Sequence, residues 1–304
     1  MHGPAQITRA LDTARLYGTT AARLMARGGR SMRLPTGKSC PRHILVVGSP
    51  RSGTTFLAEA LGAVPGLIDL GEVKSVKAAI PELAQLPEED AAARLRRALE
   101  RVRRLGLVEH LRGVEQTPEM CFVLAAALRA FPEARVVHAL RDGRDVVCSL
   151  LERGWLNASR HGRDDVLNPY GSHARFWVEP DRREEFVAAS DAARAAWAWR
   201  CHVTAARTAM AAPMVGERTL ELRYEALIAD PAASAERLGQ HLGLDPQPLT
   251  RALSNVHGRS VGRWRRELTP EQLAEVEREA GLLLRELGYD ETAPFAEPLR
   301  AAGT

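Results

Sequence analysis

The stretch that decides the fold is His43–Glu59, HILVVGSPRSGTTFLAE: a β-branched apolar run, then the turn GSPRSGTT, then an amphipathic continuation. It reads as a buried strand, an anion-cradling loop and the N-terminus of a helix. Gly48 and Gly53 permit unusual dihedrals and close approach, backbone N–H groups from Ser52 to Thr55 are placed to face an anion, and the helix end adds attraction. Phosphate or sulfate is the expected occupant. The nucleotide loop that ends G-K-[ST] carries a lysine for the β/γ-phosphates, whereas here Gly53 is followed by Thr54 and Thr55. The nearest cation is Arg51, inside the loop, so the expected ligand is an anhydride other than the β/γ end of ATP.

Working outward, Thr54–Ala63 reads as a helix and Leu67–Leu70 as a short strand ending at Gly71-Glu72. Residues 74–105 read as helical, with Leu95, Ala98, Leu99 and Val102 at helical intervals. Thr117-Pro118 resembles a helix start leading into Cys121–Phe131. A second buried strand, Ala134–Leu140, ends in Arg141-Asp142-Gly143 before a helix to about Leu151. Two strand-turn-helix units, each with polar residues at the strand's carboxyl end, predict an α/β fold: a P-loop-like doubly wound sheet, mainly parallel, with helices on both faces. A long helix is expected over about 183–211, with Trp197 and Trp199 as core; a strand over Thr219–Arg223; and helices at about 231–242 and 270–287. Residues 1–40 read as an N-terminal helical extension and 41–304 as a single domain. The irregular segment 154–182, too long for a plain connector, reads as a lid.

The chain has 304 residues and a formal net charge of +4. Its basicity is nearly all arginine, since lysine occurs only at 38, 74 and 77. The arginines alternate with acids along helices and form no run interleaved with aromatics, which argues for small anionic ligands and against nucleic acid. Cys40, Cys121, Cys148 and Cys201 are far apart and form no Cys-x-x-Cys pair, so neither a disulfide framework nor a zinc site is expected. A reducing cytoplasm is the expected location. No apolar stretch of membrane-spanning length is seen.

GSPRSGTTFL together with VVHALRDGRDVVCSLL resembles the sulfotransferases that use 3′-phosphoadenosine 5′-phosphosulfate (PAPS), in particular the tyrosylprotein-sulfotransferase-like and bacterial branches. The resemblance spans roughly residues 43–290. It implies that Arg51, Ser52, Gly53, Thr54 and Thr55 grip the 5′-phosphosulfate, and that Arg141 and Ser149 bind the 3′-phosphate that ATP lacks. Taken alone, Arg141 could instead pair with Asp142 or Asp145 at a helix start. The segment RYEAL implies a nucleotide contact from Tyr224, and NVHGRSVGRW implies 3′-phosphate contacts from Asn255, Ser260, Gly262 and Arg263, although a basic surface loop reads equally well. Glu72 stands where the tyrosylprotein branch has its proton acceptor, with Lys74 two residues on; a helix cap is the plainer role for Glu72.

One departure is Glu115-Gln116-Thr117-Pro118, where many relatives have Lys-Thr-Pro or Lys-Asp-Pro. Gln116 supplies no charge, so either Arg51 and Lys74 stabilise the leaving group or activity is weakened. His110, His138 and His173 are alternative acid/base candidates. The implied reaction is sulfuryl transfer to a hydroxyl of a small molecule, lipid or glycan, releasing adenosine 3′,5′-bisphosphate without a metal. A P-loop-like small-molecule kinase and a catalytically weakened nucleotide-binding relative are the alternatives. Trp155, Tyr170, Phe176 and Trp177 in the lid hint at an aromatic or lipidic acceptor.

Overall fold

The structure, a computed structural model, describes residues 43–105, 111–158, 173, 175–254 and 258–289, with isolated positions at 14, 15 and 22. The expected N-terminal extension, His110, Tyr170 and Asn255 therefore lie outside the described residues, apart from those three positions in the extension. So does most of the expected lid.

Five strands form one sheet in the order β2-β3-β1-β4-β5, with every pairing parallel. They are β1 (His43–Gly48), β2 (Leu67–Gly71), β3 (Arg112–Glu115), β4 (Arg135–Leu140) and β5 (Thr219–Arg223). In β1 every residue is buried, as expected of a strand covered on both faces. Leu45 and Val47 enter one hydrophobic cluster while Ile44 and Val46 enter another, so the period-two alternation of a strand feeds two separate cores. Helices α1 (Thr54–Gly62), α2 (Lys74–Leu83), α3 (Glu88–Leu105), α4 (Leu124–Ala130), α5 (Gly143–Arg153), α6 (Asp191–Met210), α7 (Tyr224–Ala229), α8 (Pro231–Leu242), α9 (Pro246–Leu253) and α10 (Pro270–Glu286) cover the two faces and one end.

The expected fold class holds, with four local differences. The helix over 74–105 is two helices, interrupted at Ala84–Pro87. Pro118–Val123 is a 3₁₀ turn that tightens before α4. The long helix over 183–211 breaks at Ala189, which is extended; Ser190 then caps α6 by accepting the Ala193 N–H at 3.1 Å. Finally, β3 was not anticipated. Its sequence, RGVE, has neither an apolar run nor alternation, yet it is wholly buried between β2 and β1. It tolerates this because Arg112 Nη2 donates to the Leu242 carbonyl at 2.9 Å and Glu115 accepts from Thr117.

Parallel pairing places the carboxyl ends of all five strands on one edge. The loop 49–53, Glu72, Gln116-Thr117, Arg141-Asp142 and Tyr224 follow β1, β2, β3, β4 and β5 in turn, so residues up to 175 positions apart in sequence share that edge.

Candidate anion and transfer site

The first loop adopts the conformation its glycines suggest. Gly48 and Gly53 have φ of 149° and 90°, and Arg51, which is not a glycine, has φ of 71°. A Cβ at Gly48 would lie 2.4 Å from the Ala139 carbonyl oxygen, and one at Gly53 would lie 2.8 Å from the Tyr224 ring. The loop is thus pressed against β4 on one side and Tyr224 on the other. The Ser52 N–H donates to the Ser49 carbonyl at 3.1 Å and closes the turn, so it does not face the anion as expected. Thr54 and Thr55 open α1, where the N–H groups have no intrahelical acceptor.

The second motif meets the first. Arg51 Nε donates to Ser149 Oγ at 3.0 Å, and Arg141 Nη1 donates to the Arg51 carbonyl at 3.1 Å. Arg141 also donates to the Ser260 carbonyl and stacks 4.7 Å from the centre of the Tyr224 ring, whose hydroxyl is 3.1 Å from Ser260 Oγ. Trp199 Nε1 donates to the Arg141 carbonyl at 3.0 Å, fixing the strand end from α6. Arg51, Arg141, Ser149, Tyr224 and Ser260 therefore form one connected group. Asp142 pairs with Arg144, not with Arg141.

Positive charge is concentrated at this end. Burial lowers the pKa of Arg51, and the positive charges of Arg153, Arg141 and Arg263 lower it further. The guanidinium groups repel one another, a cost that a bound anion relieves. Two buried polar atoms, Ser52 Oγ in the first loop and Arg141 Nε in the second motif, have no hydrogen-bond partner among the described residues. Such orphans are uncommon unless a ligand or water completes them.

The late loop is held differently from the expectation. The Gly262 N–H donates to Asp145 Oδ2 at 2.8 Å and the Trp264 N–H to Asp145 Oδ1 at 3.1 Å. Arg263 is tied to Glu152 and Glu267, which hold its pKa above the ordinary value. In this arrangement Gly262 and Arg263 are engaged with acids of the protein, and Ser260 is the member of that loop joined to Arg141.

Beside the loop, an open cavity of about 700 Å³, counted with the solvent at its mouth, has Arg51, Thr54, Thr55, Glu72 and Gln116 in its lining. Trp155, Trp177, Lys77, Glu119 and His202 line it as well. Gln116 Nε2 donates to Thr54 Oγ1 at 3.2 Å. Lys74 is exposed and does not line the cavity. The lysine that does is Lys77, one turn later, whose Nζ lies 3.0 Å from Glu72 Oε2 and 3.2 Å from Glu119 Oε1. Burial alone would lower the Lys77 pKa, but Glu119 and Glu72 outweigh it and hold the ammonium form. Lys77, Glu119 and His202 were not singled out from sequence. Lys77 and Glu119 lie 42 residues apart, and no local pattern signals that pairing. Of the alternative histidines, His138 is buried 3.2 Å from Glu221 and has a structural role, while His173 is exposed and away from the cavity lining.

The fold and site define a parallel α/β protein with a lysine-free anion loop joined to a second arginine motif. Residues 101–248 match the model of the sulfotransferase family, so the middle of the chain carries that family's pattern, as the paired motifs implied. The match includes Arg141, Ser149 and Tyr224 but neither the first loop nor the late one. An uncharacterized protein of Aquifex aeolicus (strain VF5) is 31% identical over 144 residues, covering 41% of this chain; the chain spans only 18% of that relative's length. Among solved structures, the sulfotransferase domain from the curacin biosynthetic pathway superposes with a TM-score of 0.50 at 16% identity, covering 80% of this chain and 97% of that one. Sulfotransferase STF9 from Mycobacterium avium gives 0.49 at 14% identity, covering 92% and 84%. At these identities the likeness bears on the fold alone.

Proposed function

We propose that this chain is a PAPS-dependent sulfotransferase that moves the sulfuryl group to a hydroxyl of a small-molecule, lipid or glycan acceptor and releases adenosine 3′,5′-bisphosphate. The observation that carries the reading is the pair of orphaned buried atoms, Ser52 Oγ and Arg141 Nε, one in each of two anion motifs that Arg51 and Ser149 tie together. A donor with a phosphosulfate at one end and a 3′-phosphate at the other would satisfy both; ATP would satisfy only the first.

In this reading Arg51, Gly53, Thr54, Thr55 and Ser52 Oγ hold the phosphosulfate, and Arg141, Ser149 and Ser260 hold the 3′-phosphate beside Tyr224. Gly262 and Arg263 would contribute only by exchanging their acidic partners for the phosphate. The acceptor oxygen attacks sulfur in line, its proton passes to Glu72, and the bond from sulfur to the bridging oxygen breaks. Positioning and charge complementarity supply most of the rate, as for phosphoryl transfer. Lys77 takes the part first given to Lys74, holding Glu72 in place and adding positive charge near the transferred group. Residues 41–304 are read as one sulfotransferase-like unit of the cytoplasm, with 1–40 an extension and about 154–182 a lid-like insertion.

A thermal-shift comparison tests the donor. Adenosine 3′,5′-bisphosphate is expected to stabilise the protein more than ATP-Mg²⁺ does, and Arg141→Ala to remove that preference. Stabilisation by ATP-Mg²⁺ alone would favour the kinase reading. Transfer from labelled PAPS is expected to vanish in Arg51→Ala with the fold intact; near-wild-type turnover would refute the assignment.

A further inference from the structure

His202 lies on α6, one turn after Ala198, with only 2% of its surface exposed. Its Nδ1 is 2.7 Å from the Ala198 carbonyl oxygen. A carbonyl only accepts, so Nδ1 carries the proton and Nε2 presents a lone pair. That Nε2 is buried and has no partner among the described residues, while the residue lines the same cavity as Arg51 and Glu72. The ring is held edge-on by Phe122, at 4.9 Å between centres, and lies 5.9 Å from Trp177. Burial lowers its pKa, with Glu119 raising and Lys77 lowering it more weakly, so the neutral ring dominates near pH 7.

The charges around it are unevenly divided. Arg51 is turned to Ser149 and the anion loop, whereas Lys77 is shared by Glu72 and Glu119. Glu119 is the acidic group that acts on His202, and the Lys77 ammonium beside it is already shared by two carboxylates, so an anionic group placed there meets a paired cation and no donor from His202.

We propose that His202 is the specificity-determining residue of the acceptor half of the cavity: its Nε2 accepts a hydrogen bond from a donor group on the acceptor, selecting flat hydroxyl compounds that carry a second hydroxyl or an ammonium and rejecting those with a carboxylate there. The inference rests on the sulfotransferase reading of the same cavity. The attacking hydroxyl belongs beside Glu72 and Arg51, and the second donor reaches His202 along the aromatic wall of Trp155 and Trp177. A site that leaves a buried acceptor unpaired discriminates against an analogue lacking the donor.

The test uses the full chain saturated with adenosine 3′,5′-bisphosphate and four phenols that differ at one end: tyrosol, its alkyl methyl ether, tyramine and 4-hydroxyphenylacetate. Binding is measured by calorimetry or ligand-observed NMR. Tyrosol and tyramine are expected to bind about tenfold more tightly than the ether, and the carboxylate more weakly still. His202→Phe, which keeps a ring against Phe122 and Trp177 but has no acceptor, is expected to bring tyrosol and the ether to equal affinity. His202→Gln, whose Oε1 approximates the Nε2 position, is expected to restore the preference. Bisphosphate affinity and melting temperature in both variants report on folding and on the donor end. Equal tyrosol-to-ether ratios in wild type and His202→Phe, a preference for the carboxylate, or binding of none of the four phenols would overturn the proposal. Loss of bisphosphate binding in the wild type would count instead against the donor reading.

Discussion

Replacing Glu225 with glutamine should remove a defined part of the protein's pH-dependent stability. Glu225 opens α7, is buried, and accepts from the Asp142 N–H at 2.8 Å and the Tyr289 hydroxyl at 3.1 Å. Burial, which outweighs those hydrogen bonds, raises its pKa from 4.5 to about 7. The carboxyl therefore ionises more easily in the unfolded chain than in the folded one. Its contribution is complete below about pH 4.5 and is lost as the pH rises through about 7. At 1.36 kcal/mol per pKa unit the full effect is about 3 kcal/mol, of which about 2–3 kcal/mol falls between pH 5 and 8.5. Glutamine keeps an oxygen for the Asp142 N–H and an amide for the Tyr289 oxygen but does not ionise. Urea unfolding of both proteins at pH 5 and 8.5 measures the difference. Glu115, also raised by burial to about 7, is present in both and cancels. The wild type should lose about 2–3 kcal/mol more than Glu225→Gln over that interval; parallel pH profiles would refute the reasoning.

Three further outcomes are expected. Gly48→Ala, whose Cβ would sit 2.4 Å from a backbone oxygen at φ 149°, should cost about 3 kcal/mol or more, read from the denaturation midpoint. Lys77→Met removes the counter-charge of the buried Glu119 and should cost about 3–5 kcal/mol, with Lys77→Met/Glu119→Gln recovering most of it. Gln116→Lys brings an ammonium to the Thr54 hydroxyl and should raise transfer from PAPS about tenfold, equivalent to about 1.4 kcal/mol of the barrier; unchanged turnover with bisphosphate binding intact would show that no cation is needed there.

The parts of the fold legible in the sequence are those where local pattern and burial agree. β1 and β4 are apolar runs buried on both faces, and each leads into a helix through a glycine-containing turn, so strand, turn and helix could be read together. The same is true of Arg51 and Arg141, which lie in those turns. β3 was illegible because a four-residue strand can be buried by tertiary partners alone: Arg112 bonds to the end of α8, 130 positions on. Lys74 and Lys77 differ by three residues on one helix, so sequence alone does not say which of them lines the cavity. Only the approach of Glu119, from the 3₁₀ turn, decides which faces the cavity. His202 lies within a helix rich in alanine and tryptophan, where sequence suggests only core. Its orphaned nitrogen becomes visible once the cavity beside α6 is known.

The charge layout differs from that of a nucleotide loop that carries its lysine on the helix. A lysine after Gly53 would extend from α1, whereas Arg51 leaves the loop before the helix begins and reaches Ser149 on α5. Its side chain is joined to the second motif, and its backbone carbonyl is held by Arg141. The result is a group of Arg51, Arg141, Arg153 and Arg263 in which burial first, and then repulsion by the other three, lowers the Arg51 pKa. Next to it lies a carboxylate-rich end, where Glu72 and Glu119 share Lys77. An anion at the first end relieves repulsion, and at the second it adds to it. Arg51 of the first group and Glu72 and Glu119 of the second all line the one cavity, which therefore presents charge of both signs to a ligand. That polarity suits transfer of an anionic group from a charged donor to an uncharged or cationic acceptor, with the proton released on the carboxylate side.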